Sequence, residues 1–308
     1  MFKEMLENVR KTCPLIHNIT NYVTVNDCAN VLLACGGSPI MADDAEEAED
    51  ITTICGGLNI NIGTLNQRTI PAMHKAGRKA NELGHPAVLD PVGAGASKLR
   101  TQTAKDLIEN IRFTVIRGNI SEIKALALGT GGARGVDADV ADQVTKENLS
   151  QAVAFAKEFA RETGAVIAIT GAIDIVADGE KAYCIYNGHP MMSSITGTGC
   201  QLSAITAAYV TANPETPLEA AAAAGRVPLP SGLLHHEHSR PGEVLAPDRP
   251  QLPLGIAAAG TGSEGHCVPG NPRGSHRVRG LFRRRCRCAG SEETLYTDRG
   301  RKPGGASV

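Results

Sequence analysis

The 308-residue chain is long enough for one large domain or two modest ones, with a core able to bury most of its apolar surface. Its 31 basic and 32 acidic residues nearly cancel, yet that balance averages two unlike segments: residues 1–225 hold 18 Lys and Arg against 25 Asp and Glu, and residues 226–308 hold 13 against 7. No apolar run approaches the roughly 18 residues of a membrane-spanning helix, which excludes a membrane span.

At the N-terminus Phe2, Met5, Leu6 and Val9 fall on one face of a helix that also carries Glu4 and Glu7. This is unlike the apolar stretch of a signal peptide, so a cytoplasmic location is expected. The nine cysteines, six of them before residue 226, lack paired spacing and suit free thiols in a reducing compartment. Helical periodicity follows at residues 23–34, 43–55, 69–83 and 101–110. Short apolar runs closed by Gly, Pro or Asp predict strands at 58–62, 87–89 and 113–116, so that strand, loop and helix recur as in βαβ units. Residues 146–163 form the clearest helix, with Leu149, Val153, Ala156, Phe159 and Ala160 on one face, Thr145 as cap and Gly164 as terminator. A buried strand at 165–170 and a hairpin pairing 174–177 with 181–186 set antiparallel strands at the edge of a parallel sheet. Helices at 203–211 and 218–224 follow. The predicted fold is a three-layer α/β sandwich over residues 1–225, with a mostly parallel sheet between helical layers. Gly and Pro make up 29 of those residues but 22 of the 83 that follow, so residues 226–308 are predicted to be a low-complexity, disordered tail.

Ligands of open parallel sheets bind beyond the carboxyl ends of the strands, so the residues closing each apolar run are the candidates. Asn59-Ile-Asn-Ile-Gly63-Thr64 is as much an ordinary strand end as a binding one. In Leu89-Asp-Pro-Val-Gly-Ala-Gly95-Ala96, Asp90 is either a Mg²⁺ ligand, directly or through water, or the acid of an Asp-Pro turn. In Val115-Ile-Arg-Gly-Asn-Ile-Ser-Glu-Ile123, Arg117 has the chemistry to meet phosphate and Glu122 to meet a metal-bound water. Asn119 and Glu122 also have the spacing of a capping box. The strongest signal is Ser194-Ile-Thr-Gly-Thr-Gly-Cys-Gln-Leu-Ser203. There Gly197, Thr198 and Gly199 open a small-residue helix, and free backbone N–H groups with the helix dipole suit the charge of a transferring phosphoryl group. Cys200, at that helix start, is expected to have a lowered thiol pKa and to accept a proton or position a ligand; the alternative is a small packing residue. Neither a P-loop nor a strand-linked G-x-G-x-x-G occurs in residues 1–225.

Eight motifs in order resemble those of hydroxyethylthiazole kinases over residues 13 to 224: His17-Asn-Ile-Thr-Asn21, Gly37-Ser-Pro-Ile-Met-Ala42, Leu58-Asn-Ile-Asn-Ile-Gly-Thr64, Leu89-Asp-Pro-Val-Gly-Ala-Gly95, Ile116-Arg-Gly-Asn119, Ala168-Ile-Thr-Gly171, Asn187-Gly-His189 and Gly197-Thr-Gly-Cys200. The resemblance implies a ribokinase-like sandwich and a homotrimer with active sites between subunits. It also implies Mg²⁺-dependent transfer of the ATP γ-phosphoryl group to 4-methyl-5-(2-hydroxyethyl)thiazole in thiamine salvage. Residue by residue, it puts Asn21 and Met41 at the thiazole, Arg117 and Thr170 at ATP, and Asp90 with Glu122 around Mg²⁺. Gly197 lines the substrate side of an anion hole formed with Thr198 and Gly199, and Cys200 is the candidate proton acceptor, where related sugar kinases carry aspartate. A kinase for another small alcohol such as hydroxymethylpyrimidine, an ATP-dependent repair dehydratase and a catalytically dead remnant are the alternatives.

The resemblance stops within a few residues of Ala224. Beyond it the chain uses 12 Arg to 1 Lys, against 8 to 10 before, and one isoleucine, as expected of GC-rich DNA read out of frame. His235-His-Glu-His238 and Arg283-Arg-Arg-Cys-Arg-Cys288 lack HExxH order, paired CxxC spacing and interleaved aromatics, so neither a metal site nor a nucleic-acid surface is predicted there.

Overall fold

The fold was obtained as a computed structural model and is described for residues 2–127, 143–187, 192 and 195–226. Its centre is an eight-stranded sheet in the order β2-β1-β3-β4-β5-β6-β7-β8. The first six are β2 (Ser38–Met41), β1 (Leu15–Ile19), β3 (Gly57–Asn61), β4 (Ala87–Asp90), β5 (Val115–Asn119) and β6 (Val166–Thr170), and they run parallel. The hairpin β7 (Asp174–Ala177) and β8 (Ala182–Ile185) continues the sheet antiparallel, as expected from its sequence. Strand β1 lies between β2 and β3, so the chain leaves it first to one side and then to the other. That reversal makes the gap between the ends of β1 and β3 a topological switch point, where α/β sheets bind ligands.

Side chains alternate across the sheet and split the core in two. Leu58, Ile60, Leu89, Ile116, Ile167 and Ile169 meet α3 (Ala48–Ile54), α4 (Thr69–Leu83), α5 (Lys98–Asn110), α6 (Ile120–Ala127) and α7 (Leu149–Thr163). Ile16, Val88, Val115, Val166 and Ala168 meet α1 (Phe2–Thr12), α2 (Val25–Cys35), α8 (Thr198–Ala212) and α9 (Pro217–Gly225). This is the expected three-layer sandwich. Helix α8 is buried nearly all round, and Ala204, Ala207 and Ala208 let it lie close to the sheet. The alternation that turns Val88 and Val115 toward α8 also turns Asn61, Asp90, Arg117 and Thr170 that way, which sets a polar patch beneath the helix start.

Strands β1 and β2 were not anticipated. In β1 the polar pair His17 and Asn18 interrupts the apolar run, and both are buried with partners. The His17 ring bridges the Thr52 hydroxyl and the Ala42 carbonyl, each at 2.9 Å, and Asn18 accepts from Asn59 at 3.0 Å. Strand β2 is a partly exposed edge strand containing Pro39. Helix α3 begins at Ala48 rather than residue 43, and α7 at Leu149 rather than 146. Thr145 does not cap α7; its backbone N–H instead donates to the Asn148 side chain at 2.8 Å. The expected tail lies outside the described residues beyond Arg226.

Candidate active site

From the end of β1 the chain turns through Thr20 and Asn21 into α2, and Asn21 itself fixes the turn. Its Oδ1 accepts the Thr24 backbone N–H at 3.2 Å and hydroxyl at 3.0 Å. Its Nδ2 faces across the switch point, donating to Asn61 Oδ1 at 3.3 Å and to Cys200 Sγ at 2.8 Å. Asn61, the last residue of β3, also accepts the Gly63 N–H at 2.8 Å and donates to Asp90 Oδ2 at 2.8 Å. Glycine is required at position 63, because a Cβ there would lie 2.8 Å from Asn21 Cβ.

Asp90, paired with Asn61 in register, ends β4 and is fully buried. Its Oδ2 also accepts the Ser203 hydroxyl at 2.7 Å and the Arg117 guanidinium at 3.4 Å, while its Oδ1 is buried without a hydrogen-bond partner. Burial holds this carboxyl above its ordinary range, outweighing the opposing pull of Arg117, Ser203 and Asn61. Arg117 reaches Thr170 Oγ1, at the end of β6, at 2.6 Å. Its guanidinium lies against the first turn of α8, where a Cβ on Gly199 would come within 2.7 Å of Nη1. Gly197 begins that turn with a φ of +79°, and a Cβ there would collide with Thr24.

Glu122 takes up the capping-box arrangement. Its Oε2 accepts the Asn119 N–H, the Asn119 side chain accepts the Glu122 N–H, and its Oε1 accepts the Gly93 N–H, all at 2.8 Å. The last of these ties Glu122 to the loop after Asp90. The same loop is held from the other side by Arg100, which donates to the carbonyls of Val92 at 2.7 Å, Gly63 at 2.6 Å and Ile62 at 3.2 Å. Among the described residues no group of three or more His, Cys, Asp or Glu is placed to hold a metal ion.

Cys200 corrects an expectation. Its thiol is raised, not lowered: burial contributes most, and the Asp90 charge adds to it, against the Asn61, Thr24 and Asn21 side chains, which favour the anion. The helix start is outweighed by desolvation and a neighbouring carboxylate.

The fold therefore gathers Asn21, Asp90, Arg117, Thr170 and Cys200 with Gly197, Thr198 and Gly199 into one connected cluster, and Glu122 joins through Gly93. Met41 ends β2 opposite Asn18 and packs on the α8-side core. Sequence reasoning did not single out Thr24 or Arg100, and it held Asn61 and Ser203 only as members of a strand-end and a helix-start motif, with no role of their own. The signal for Asn61 was present, an Asn in every second position of a buried strand, and Ser203 lies one helical turn beyond Cys200. A buried cation, a carboxylate, a sulfur and a helix start at the carboxyl ends of parallel strands suit the positioning and charge neutralisation of an anionic substrate.

A family model of the hydroxyethylthiazole kinase family matches residues 6–231. A hydroxyethylthiazole kinase of Clostridium acetobutylicum is 69% identical over 220 residues, covering 71% of this chain and 81% of that protein. One of Desulfovibrio desulfuricans is 54% identical over 205 residues, covering 67% and 72%. The solved structure of a hydroxyethylthiazole kinase protein from Pyrococcus horikoshii superposes with a TM-score of 0.65 at 41% identity, covering 72% of this chain and 80% of that one. With the sandwich and its strand-end cluster in place over the matched residues, the chain belongs to the hydroxyethylthiazole kinase family.

Proposed function

We propose that this chain transfers the γ-phosphoryl group of ATP to the hydroxyl of 4-methyl-5-(2-hydroxyethyl)thiazole in thiamine salvage. The observation that carries this reading is the cluster in which Asp90, Arg117 and Cys200 meet at the start of α8, in a chain 69% identical to a protein named for that activity. Arg117, steadied by Thr170, faces the phosphates. The backbone N–H groups of Gly197–Gly199 receive the charge that builds on the transferring group. Asn21 and Met41 line the thiazole, and Asn21 does so with its amide already engaged by protein. The alcohol oxygen attacks the γ-phosphorus, its proton passes to Cys200 in its thiolate form, and the bond to the bridging oxygen breaks to leave ADP. Most of the rate acceleration comes from holding the alcohol in line within a charge-neutralising site.

Asp90 and Glu122 fit Mg²⁺. They offer only oxygen, Asp90 Oδ1 is a buried acceptor without a partner, and Mg²⁺ uses one or two carboxylates with waters and phosphates. When bound, the ion neutralises phosphate charge. The test is ADP release with the thiazole alcohol, with hydroxymethylpyrimidine and with no acceptor. Thiazole-dependent turnover is expected; faster turnover with the pyrimidine, or none with the thiazole, overturns the reading.

The kinase domain is residues 1–225, working in the cytoplasm as a homotrimer with sites between subunits, and mass measurement in solution should give three chains. The composition of residues 226–308, rich in Arg over Lys and in Gly and Pro, is read as that of a gene segment translated out of frame. Limited tryptic digestion of the full chain is expected to leave a fragment ending near residue 226. A resistant fragment extending past about residue 260 would contradict this, because a packed domain hides its backbone from proteases.

A further inference from the structure

The Asn21–Asn61 pair joins two groups that the roles above leave unconnected, the Asp90 carboxylate and the Cys200 sulfur. The end of each amide that faces a given neighbour is decided by a backbone N–H, which can only donate. The Thr24 N–H lies 3.2 Å from one end of Asn21, and the Gly63 N–H lies 2.8 Å from one end of Asn61, so both those ends are oxygen. What remains is forced. Asn61 Nδ2 is left for Asp90 Oδ2 at 2.8 Å, and Asn21 Nδ2 for Asn61 Oδ1 at 3.3 Å and Cys200 Sγ at 2.8 Å. Both amides are buried, so water does not compete for these contacts.

We propose that Asn61 is a positioning residue of the phosphoryl-transfer site: held between the Gly63 N–H and the Asp90 carboxylate, it fixes the Asn21 amide so that its NH₂ group points at Cys200 and keeps the sulfur a hydrogen-bond acceptor. The inference rests on Cys200 being the proton acceptor of the reaction. A sulfur that receives an amide N–H is stabilised as the anion and has its lone pair aligned before substrate arrives. The titratable groups that act on Cys200 are Asp90 from β4 and Cys28 from α2, and Arg117 from β5 lies against the neighbouring Gly199. Asn61 is the neutral group between the carboxylate and the sulfur: it favours the thiolate directly, as Asn21 does, and it turns a repulsive neighbour into the anchor of a donor chain.

The test uses Asn61→Leu, close in volume and without polar atoms, with Asn61→Ala as a smaller variant that admits water if Leu does not fold. In metal-free buffer, iodoacetamide alkylation of Cys200 is followed against pH by mass spectrometry of its own peptide, apart from the other cysteines. The alkylation midpoint is expected to rise by about one pH unit, the equivalent of one charge-assisted hydrogen bond. At neutral pH kcat should fall about tenfold with KM for ATP unchanged, since the thiolate population falls tenfold per unit. In a Cys200→Ala background the Asn61 substitution should cost clearly less than in the parent, since only its contact with Asp90 is then left to lose, whereas a general loss of packing would cost the same in both backgrounds. A midpoint equal to the parent's in a folded variant overturns the proposal. A midpoint that moves while kcat does not supports the positioning of the sulfur and overturns Cys200 as proton acceptor, so the two failures are distinguishable.

Discussion

Asp90→Asn is expected to lower kcat by about 10²–10³-fold, the range for losing one preorganised electrostatic contact, without lowering the melting temperature. The substitution keeps the shape of the side chain and an oxygen for Asn61, Ser203 and Arg117; it removes the charge and sets an NH₂ where Oδ1 has no partner, a cost that the loss of a buried charge offsets. In the folded chain that charge is costly. Burial outweighs Arg117, so the native state holds the Asp90 proton more firmly than the unfolded chain, where the ordinary value is 3.8. A raised carboxyl contributes stability that is present below the unfolded pKa and lost as pH rises through the folded one. The Asn variant carries no such loss, and in metal-free buffer its melting temperature should gain on the parent's between acid and neutral pH. Parental turnover would remove Asp90 from the machinery, and a clearly lower melting point at pH 7 would show the Arg117 pair outweighing burial. Glu122→Gln should behave differently. Both Glu122 oxygens accept backbone N–H groups, so the new NH₂ must face a donor, at a stability cost of about 1–3 kcal/mol.

The parts of this molecule legible in its sequence are those whose partners are close along the chain or generic. Strands β4 to β6 announce themselves because a parallel strand covered on both faces is a continuous apolar run, and the strand-end rule then leads to Asp90 and Arg117. Strand β1 does not, because His17 and Asn18 look like loop residues until Thr52, Ala42 and Asn59 are brought to them from 25 to 41 residues away. The capping box at Asn119 and Glu122 was visible at its spacing of three, but the bond from Gly93 to the same carboxylate was not. The thiol of Cys200 was misjudged for the same reason. A helix start is local, whereas its burial and the nearby Asp90 charge are supplied by the whole sheet. Ser203 meets Asp90 across 113 residues, and no periodicity encodes that contact. The assignment of individual residues to thiazole, ATP and metal came from family resemblance, since spacing alone left a turn, a cap or a packing role open at each position.

Cys200→Ala and Cys200→Asp should move activity in opposite directions. As proton acceptor, Cys200 is replaced by nothing in the Ala variant, and kcat should fall within the roughly 10²–10⁴-fold typical of general-base catalysis. Because burial and Asp90 raise the thiol, the parent is neutral at pH 7, and its kcat should climb with pH as the thiolate is populated. An aspartate at this position meets the same desolvation and the same neighbour, but starts about four to five units lower than a thiol, so it stays ionised through neutral pH. It also finds the donor already waiting, the Asn21 Nδ2 now 2.8 Å from the sulfur. The Asp variant should therefore match or exceed the parent at pH 7 and show a flat profile from about pH 6 to 9, where the parent's rises. If Cys200 only fills space beside Thr24 and Asn21, the order reverses: Ala is tolerated, and Asp, a second buried carboxylate near Asp90, lowers both the melting temperature and kcat. An Ala variant with the parent's rate and pH profile would leave the amides of Gly197–Gly199, Arg117 and the carboxylate pair as the whole apparatus, with the alcohol proton passing directly to the phosphoryl oxygens or to water.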